Sequence, residues 1–156
     1  MSETIASDAY QWTKHRVAVN VQCEDESVRS QISSFIRREL RDLGDVVVTH
    51  HAADFALAVV AIRWDSRETD IYAASVLLTE SAMPPSRFLR PTDFPEDQIK
   101  LLDEMYGGIP QALDHNLVVG GIPSIKAAFT EQIAEFDAAF LEPVRRYRRQ
   151  LDELSD

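Results

Sequence analysis

Between Arg16 and Gly44 the apolar residues change their spacing once, from alternation to steps of three and four, and this switch limits the fold more than any other feature. Val17, Val19 and Val21 alternate with Ala18, Asn20 and Gln22, the pattern of a half-buried strand. Asp25 then stands where an N-cap accepts a backbone hydrogen bond, and Glu26 adds charge of the sign the helix dipole favours there. Val28, Ile32, Phe35, Ile36, Leu40 and Leu43 share one side of the helix that follows, and Gly44 supplies a left-handed stop. Arg29, Arg37, Arg38 and Arg41 lie largely off that stripe, as a solvated face requires.

Val46–Val48 reads as a short strand and Phe55–Trp64 as a longer one, joined through His50, His51, Ala52 and Ala53. Polar residues 65–70 predict a hairpin loop leading to a strand over Ile71–Leu78, which is expected to form a sheet edge. Prolines 84, 85, 91 and 95 make 81–95 an aperiodic connection. Pro95 suits the first turn of a helix carrying Ile99, Leu102 and Met105 or Tyr106, stopped by Gly107 and Gly108. Residues 110–121 fit either a short helix through Leu113 and Leu117 or a strand at 117–119. Ile125, Phe129, Ile133, Phe136 and Phe140 mark a strong helix with Ser124 in the capping position. Pro143 lacks the N–H that would bond back to residue 139, so a kink or restart is expected near Leu141.

The expected architecture is a single α/β domain over 15–156, after a polar segment 1–14. A β-α-β-β core occupies 15–80, the proline-rich connection 81–95, and a mainly helical part 96–156. Such a chain forms a mixed β-sheet with a right-handed β-α-β unit, an antiparallel hairpin and a long C-terminal helix packed on the sheet.

Twenty-six acidic residues against sixteen basic ones give a net charge of −10, a field that repels phosphodiester backbones and anionic lipid headgroups. No nucleic-acid partner is expected. No run approaches the roughly 18 apolar residues of a membrane helix, so no membrane insertion is expected either. Met1–Trp12 has no basic start or apolar centre, which reads as cytoplasmic for the chain as it stands and periplasmic if a leader has been removed. Cys23 is the single cysteine, which excludes an intramolecular disulfide and a multi-cysteine metal site.

Cys23 precedes Arg29 by the spacing seen in tyrosine phosphatases and arsenate reductases, whose chemistry needs a low-pKa thiolate, inward backbone N–H groups and a clamping arginine. Glu24, Asp25 and Glu26 oppose that chemistry, because carboxylates raise a thiol pKa and repel a phosphoryl dianion. The turn of Cys23, Glu24, Asp25, Glu26 and Arg29 is retained as a candidate surface suited to a cation. His50 and His51 are adjacent and point apart, which makes them a poor pair of metal ligands. No phosphate loop, serine elbow or zinc-binding helix motif occurs, so no catalytic residue, metal or cofactor is assigned.

Arg145, Arg146, Arg148 and Arg149 fall near a helix end, where the dipole favours positive charge and Glu142, Asp152 and Glu153 are neighbours. Arg145, Arg146, Tyr147 and Arg149 form a candidate partner surface. Val144, Tyr147, Leu151 and Leu154 continue the apolar spacing and would suit a homodimer interface.

The run Ile36-Arg37-Arg38-Glu39-Leu40, then Leu43-Gly44-Asp45-Val46-Val47-Val48, then Ala53-Asp54-Phe55-Ala56-Leu57 resembles the N-terminal domain of TolB and related bacterial envelope accessory domains. The likeness covers about 16–80. It implies an anticodon-binding-like fold and a non-catalytic module that docks other proteins at the cell envelope. Two functional classes follow: a protein-interaction or assembly module, and a small-ligand or cation binder or small hydrolase using the turn Cys23–Arg29.

Lysine occurs only at 14, 100 and 126, and many carboxylates with few lysines give a densely hydrated surface of the kind used in high salt. The expected outcome is a lower melting temperature on transfer from molar to dilute salt. Unchanged melting and solubility would remove the salt-adaptation hypothesis.

Overall fold

A computed structural model of the chain describes residues 14–51, 53–64, 70–81, 94–106 and 110–153. The opening alternation becomes β1 (His15–Cys23), and the three-four periodicity becomes α1 (Glu26–Asp42). Asp25 caps α1 by accepting a hydrogen bond from the Val28 N–H at 3.1 Å. Gly44, at φ 86°, ends the turn after Leu43 in the left-handed region that side chains with a Cβ rarely adopt. The chain continues as β2 (Val46–Val48), β3 (Phe55–Arg63), β4 (Tyr72–Ser81), α2 (Glu96–Tyr106) and β5 (Pro110–Gly120). It closes with α3 (Ile122–Phe136), a π-helical turn over Asp137–Leu141, and α4 (Glu142–Glu153).

These strands form one mixed sheet in the order β2-β1-β3-β4-β5. β1 is parallel to both β2 and β3, while β3–β4 and β4–β5 are antiparallel. Between β2 and β3 the chain crosses β1, held on either side by Thr49 N–H donating to Val17 O and Asp54 N–H donating to Arg16 O. The fold is therefore a single α+β domain with a mixed sheet and a long C-terminal helical region. The β3–β4 hairpin pairs as anticipated, with Trp64 N–H donating to Ile71 O; its loop over 65–69 lies outside the described residues.

Alternation places one set of strand side chains against the helices. Val17, Val19, Leu57, Val59, Ala74 and Val76 are buried with Ile32, Ile36 and Leu40 of α1 and Ile125, Phe129, Ile133 and Phe136 of α3. Phe136 meets Phe55 edge to face, ring centroids 5.1 Å apart. Ile99 of α2 is also buried but belongs to no part of this cluster.

Three expectations are corrected. β4 is not an edge, because residues 110–120 are strand and not helix, and β5 covers it. The mainly helical part after residue 96 contains this one eleven-residue strand among its described residues. Pro95 precedes α2 instead of lying in its first turn, its carbonyl accepting from Gln98 and Ile99. Ser124 does not cap α3: Gly121 is the N-cap and makes no side-chain bond, and the helix starts at Ile122, three residues before the start a Ser124 cap implies. Gly120 permits this abrupt strand-to-helix join, because a Cβ there would lie 3.0 Å from Ser124 Cβ.

Pro143 has the anticipated consequence in a specific form. The chain widens into the π turn just before it, Glu142 N–H donating to Asp137 O, and α4 restarts with Pro143 in its first turn. Tertiary packing across the sheet holds this arrangement, so Phe129→Ala is expected to cost about 4 kcal/mol, measured by urea unfolding. A loss under about 1 kcal/mol would show that α3 is not anchored as described.

Candidate functional site

The turn after β1 sits at one end of the sheet. There the N-termini of α1 and α3 and the C-terminal end of β3 border an open cleft of about 330 Å³. Asp25, Ser27, Gln31, Arg63, Asp70 and Tyr72 contribute to its wall. Arg63 dominates it: its guanidinium donates to Tyr72 Oη at 3.0 Å and lies 3.7 Å from carboxylate oxygens of both Asp25 and Asp70. The Tyr72 hydrogen bond, then these carboxylates, hold Arg63 more firmly protonated than usual.

Cys23 and Arg29 are not assembled into a phosphoryl cradle. Cys23, as the last residue of β1, packs half-buried against the core. Arg29 donates to Glu26 Oε1 at 3.1 Å, one turn along its own helix. His50 and His51 are exposed in the connection between β2 and β3. Among the described residues, no three His, Cys, Asp or Glu side chains gather in a metal-ligating group.

The arginine cluster of α4 divides by role. Arg145 makes a two-pronged contact with Asp45, Nε to Oδ2 at 2.8 Å and Nη2 to Oδ1 at 2.6 Å, and its Nη1 lies 2.6 Å from Asp137 Oδ1. His15 lies beneath, its Nε2 3.6 Å from Asp45 Oδ2. Arg149 donates to Glu142 Oε1 at 2.6 Å. Arg145 is thus an internal clamp between α4, the π turn and the α1–β2 turn, whereas Arg146 and Tyr147 face solvent.

The feature that residue-type motifs missed is the sheet face turned away from α1 and α3. Register puts Val60, Ile62, Ala73, Leu117 and Val119 on it, with Trp64 and Ile71 continuing it past the strand ends. Trp64 is 69% exposed, Leu117 63%, Ile62 62% and Val119 52%. No strand residue on this face is a carboxylate; its one cation, Arg16, pairs with Asp54. Ser75 Oγ and His115 Nε2 approach to 2.9 Å on the same face. Acyl transfer also needs an oriented base and oxyanion donors, and among the described residues no carboxylate is seen to orient this imidazole.

No family model matches the chain, and no curated protein matches it. Among solved structures it is similar to the PelC dodecamer from Paraburkholderia phytofirmans in two crystal forms. One, a single-site variant, is 13% identical over 81% of this chain and 85% of that one, with a TM-score of 0.39. The other is 15% identical over 80% and 87%, with the same TM-score. Similarity at that level defines neither fold nor function for this chain.

Hydrogen bonds from Arg145 outweigh partial burial and hold the Asp45 carboxyl below its ordinary value of 3.8. A carboxyl depressed on folding contributes stability above its unfolded pKa and loses it as pH falls through the lowered folded value. Arg145→Ala is therefore expected to cost about 2 kcal/mol near neutral pH. The gap to wild type should narrow in acid below the ordinary carboxyl range, followed by urea melts at both pH values. An equal gap at both would contradict the clamp.

Proposed function

We propose that this chain is a non-catalytic protein-interaction or assembly module, consistent with the envelope accessory domains that residues 16–80 resemble. The observation that carries this reading is the exposed apolar sheet face around Ile62, Trp64 and Leu117, whose described strand residues include no carboxylate. On a chain of net charge −10 a strand face whose one cation is already paired is conspicuous, and contiguous exposed apolar area of this kind marks contact surfaces. Interaction through it needs no chemistry from the chain, only desolvation of side chains that the strands already hold in place.

The alternative, a small-ligand or cation binder or small hydrolase at Cys23–Arg29, draws support from the neighbouring cleft alone. Arg63 already lies against Asp25 and Asp70 and offsets part of their charge, and Cys23 packs toward the core. Hydrolysis of an aryl phosphate that disappears in Cys23→Ser would favour this alternative.

The direct test is affinity purification of the full chain at native salt beside an Ile62→Lys/Leu117→Lys variant. A stoichiometric protein partner retained by the wild type and lost by the variant is expected. A bound small molecule with no protein partner would overturn the proposal.

A further inference from the structure

The outer sheet face identifies its own occupant when its size, charge and edges are taken together. By the usual areas of such side chains, the exposed parts of Val60, Ile62, Trp64, Ile71, Leu117 and Val119 amount to on the order of 600 Å², at the top of the range monomers leave uncovered. With the bordering Ala73, Ser75 and His115, that approaches the roughly 800 Å² per partner of a standard stable interface.

Its charge narrows the partner further. A specific heterologous partner ordinarily presents charges for its target to answer, and the strand residues of this face offer only the already paired Arg16. A neutral apolar face is complementary to itself, which is what a two-fold contact requires. Among the described residues no strand position of this face carries a carboxylate, and between copies the repulsion of a net charge of −10 is screened within about 8 Å at physiological salt.

The edges favour face-to-face contact over extension of the sheet. β2 is three residues long. β5 begins at Pro110, and the register shift between Leu78 and Thr79 leaves Leu113 unpaired as a bulge. Asp114 points in toward α3, where Gln132 Nε2 donates to it at 3.2 Å. A proline, a bulge and an inward carboxylate are the devices that discourage edge pairing.

We infer that two copies of this chain stack these faces about a two-fold axis, sheet on sheet at about 10 Å, with α1 and α3 on the outside of both. The assignment rests on the interaction reading above and deepens it by naming the partner. It also moves the dimer contact away from the Val144–Leu154 surface, where α4 leaves Tyr147 exposed but commits Arg145 internally.

Sedimentation equilibrium of the full chain from about 1 to 100 μM tests it. The expected result is a species of twice the 17.6 kDa chain mass. Ile62→Lys/Leu117→Lys should be monomeric with unchanged circular dichroism, and Trp64→Ala is a milder second variant that should weaken the dimer at least tenfold. Raising salt from about 0.1 to 1 M should tighten association, because it screens like charges and strengthens apolar burial. A monomeric wild type, a dimer that survives both variants, or dissociation by salt would overturn the inference. A monomeric wild type that still holds a different protein through Ile62 and Leu117 would sink the second copy and leave the interaction module standing. A monomer that holds no protein at all would sink both.

Discussion

Burial of the alternate side chains of β1, β3 and β4 beneath α1 and α3 is the constraint on which the rest of the molecule depends. Val17, Leu57, Val59, Ala74 and Val76 have nearly no solvent contact, and the apolar faces of both helices close over them. Because strand side chains alternate, the same geometry turns Val60, Ile62, Ala73, Leu117 and Val119 the other way. One sheet therefore has a filled face and an exposed apolar face whose described strand residues include no carboxylate.

The two charged clusters follow from that core instead of competing with it. Arg145 reaches across about one hundred residues of sequence to Asp45 and ties the C-terminal helix to the turn that precedes β2. Arg63 gathers Asp25, Asp70 and Tyr72 at the opposite end of β3, where two helices begin. Both arginines are satisfied internally. On the outer sheet face what remains available to another molecule is chiefly the apolar surface of Ile62, Trp64, Leu117 and Val119.

Local patterns were legible wherever a single period governed a segment. The alternation of 16–22, the Asp25 cap and the Gly44 stop each describe a local backbone need, and each is realised. Residues 110–121 were not legible because the bulge at Leu113 breaks alternation and Leu117, Val118 and Val119 are apolar on both faces. The candidate surface was hidden for a related reason: Phe55–Trp64 is nearly continuous in apolar residues, which describes a strand buried on both sides as well as one with a bare face. Only the register of β3, β4 and β5 separates the two. Arg145 posed a long-range version of the problem, since helix-end spacing accounts for its sign and says nothing of Asp45.

Association of the folded chain would cover the bare face, and Trp64 stands within it. Collisional quenching of Trp64 by acrylamide, with Trp12→Phe leaving it as the sole tryptophan of the chain, reports that coverage directly. Ready quenching in dilute solution is expected, with a marked fall as concentration rises through the dimer range. Equal quenching at all concentrations would contradict it.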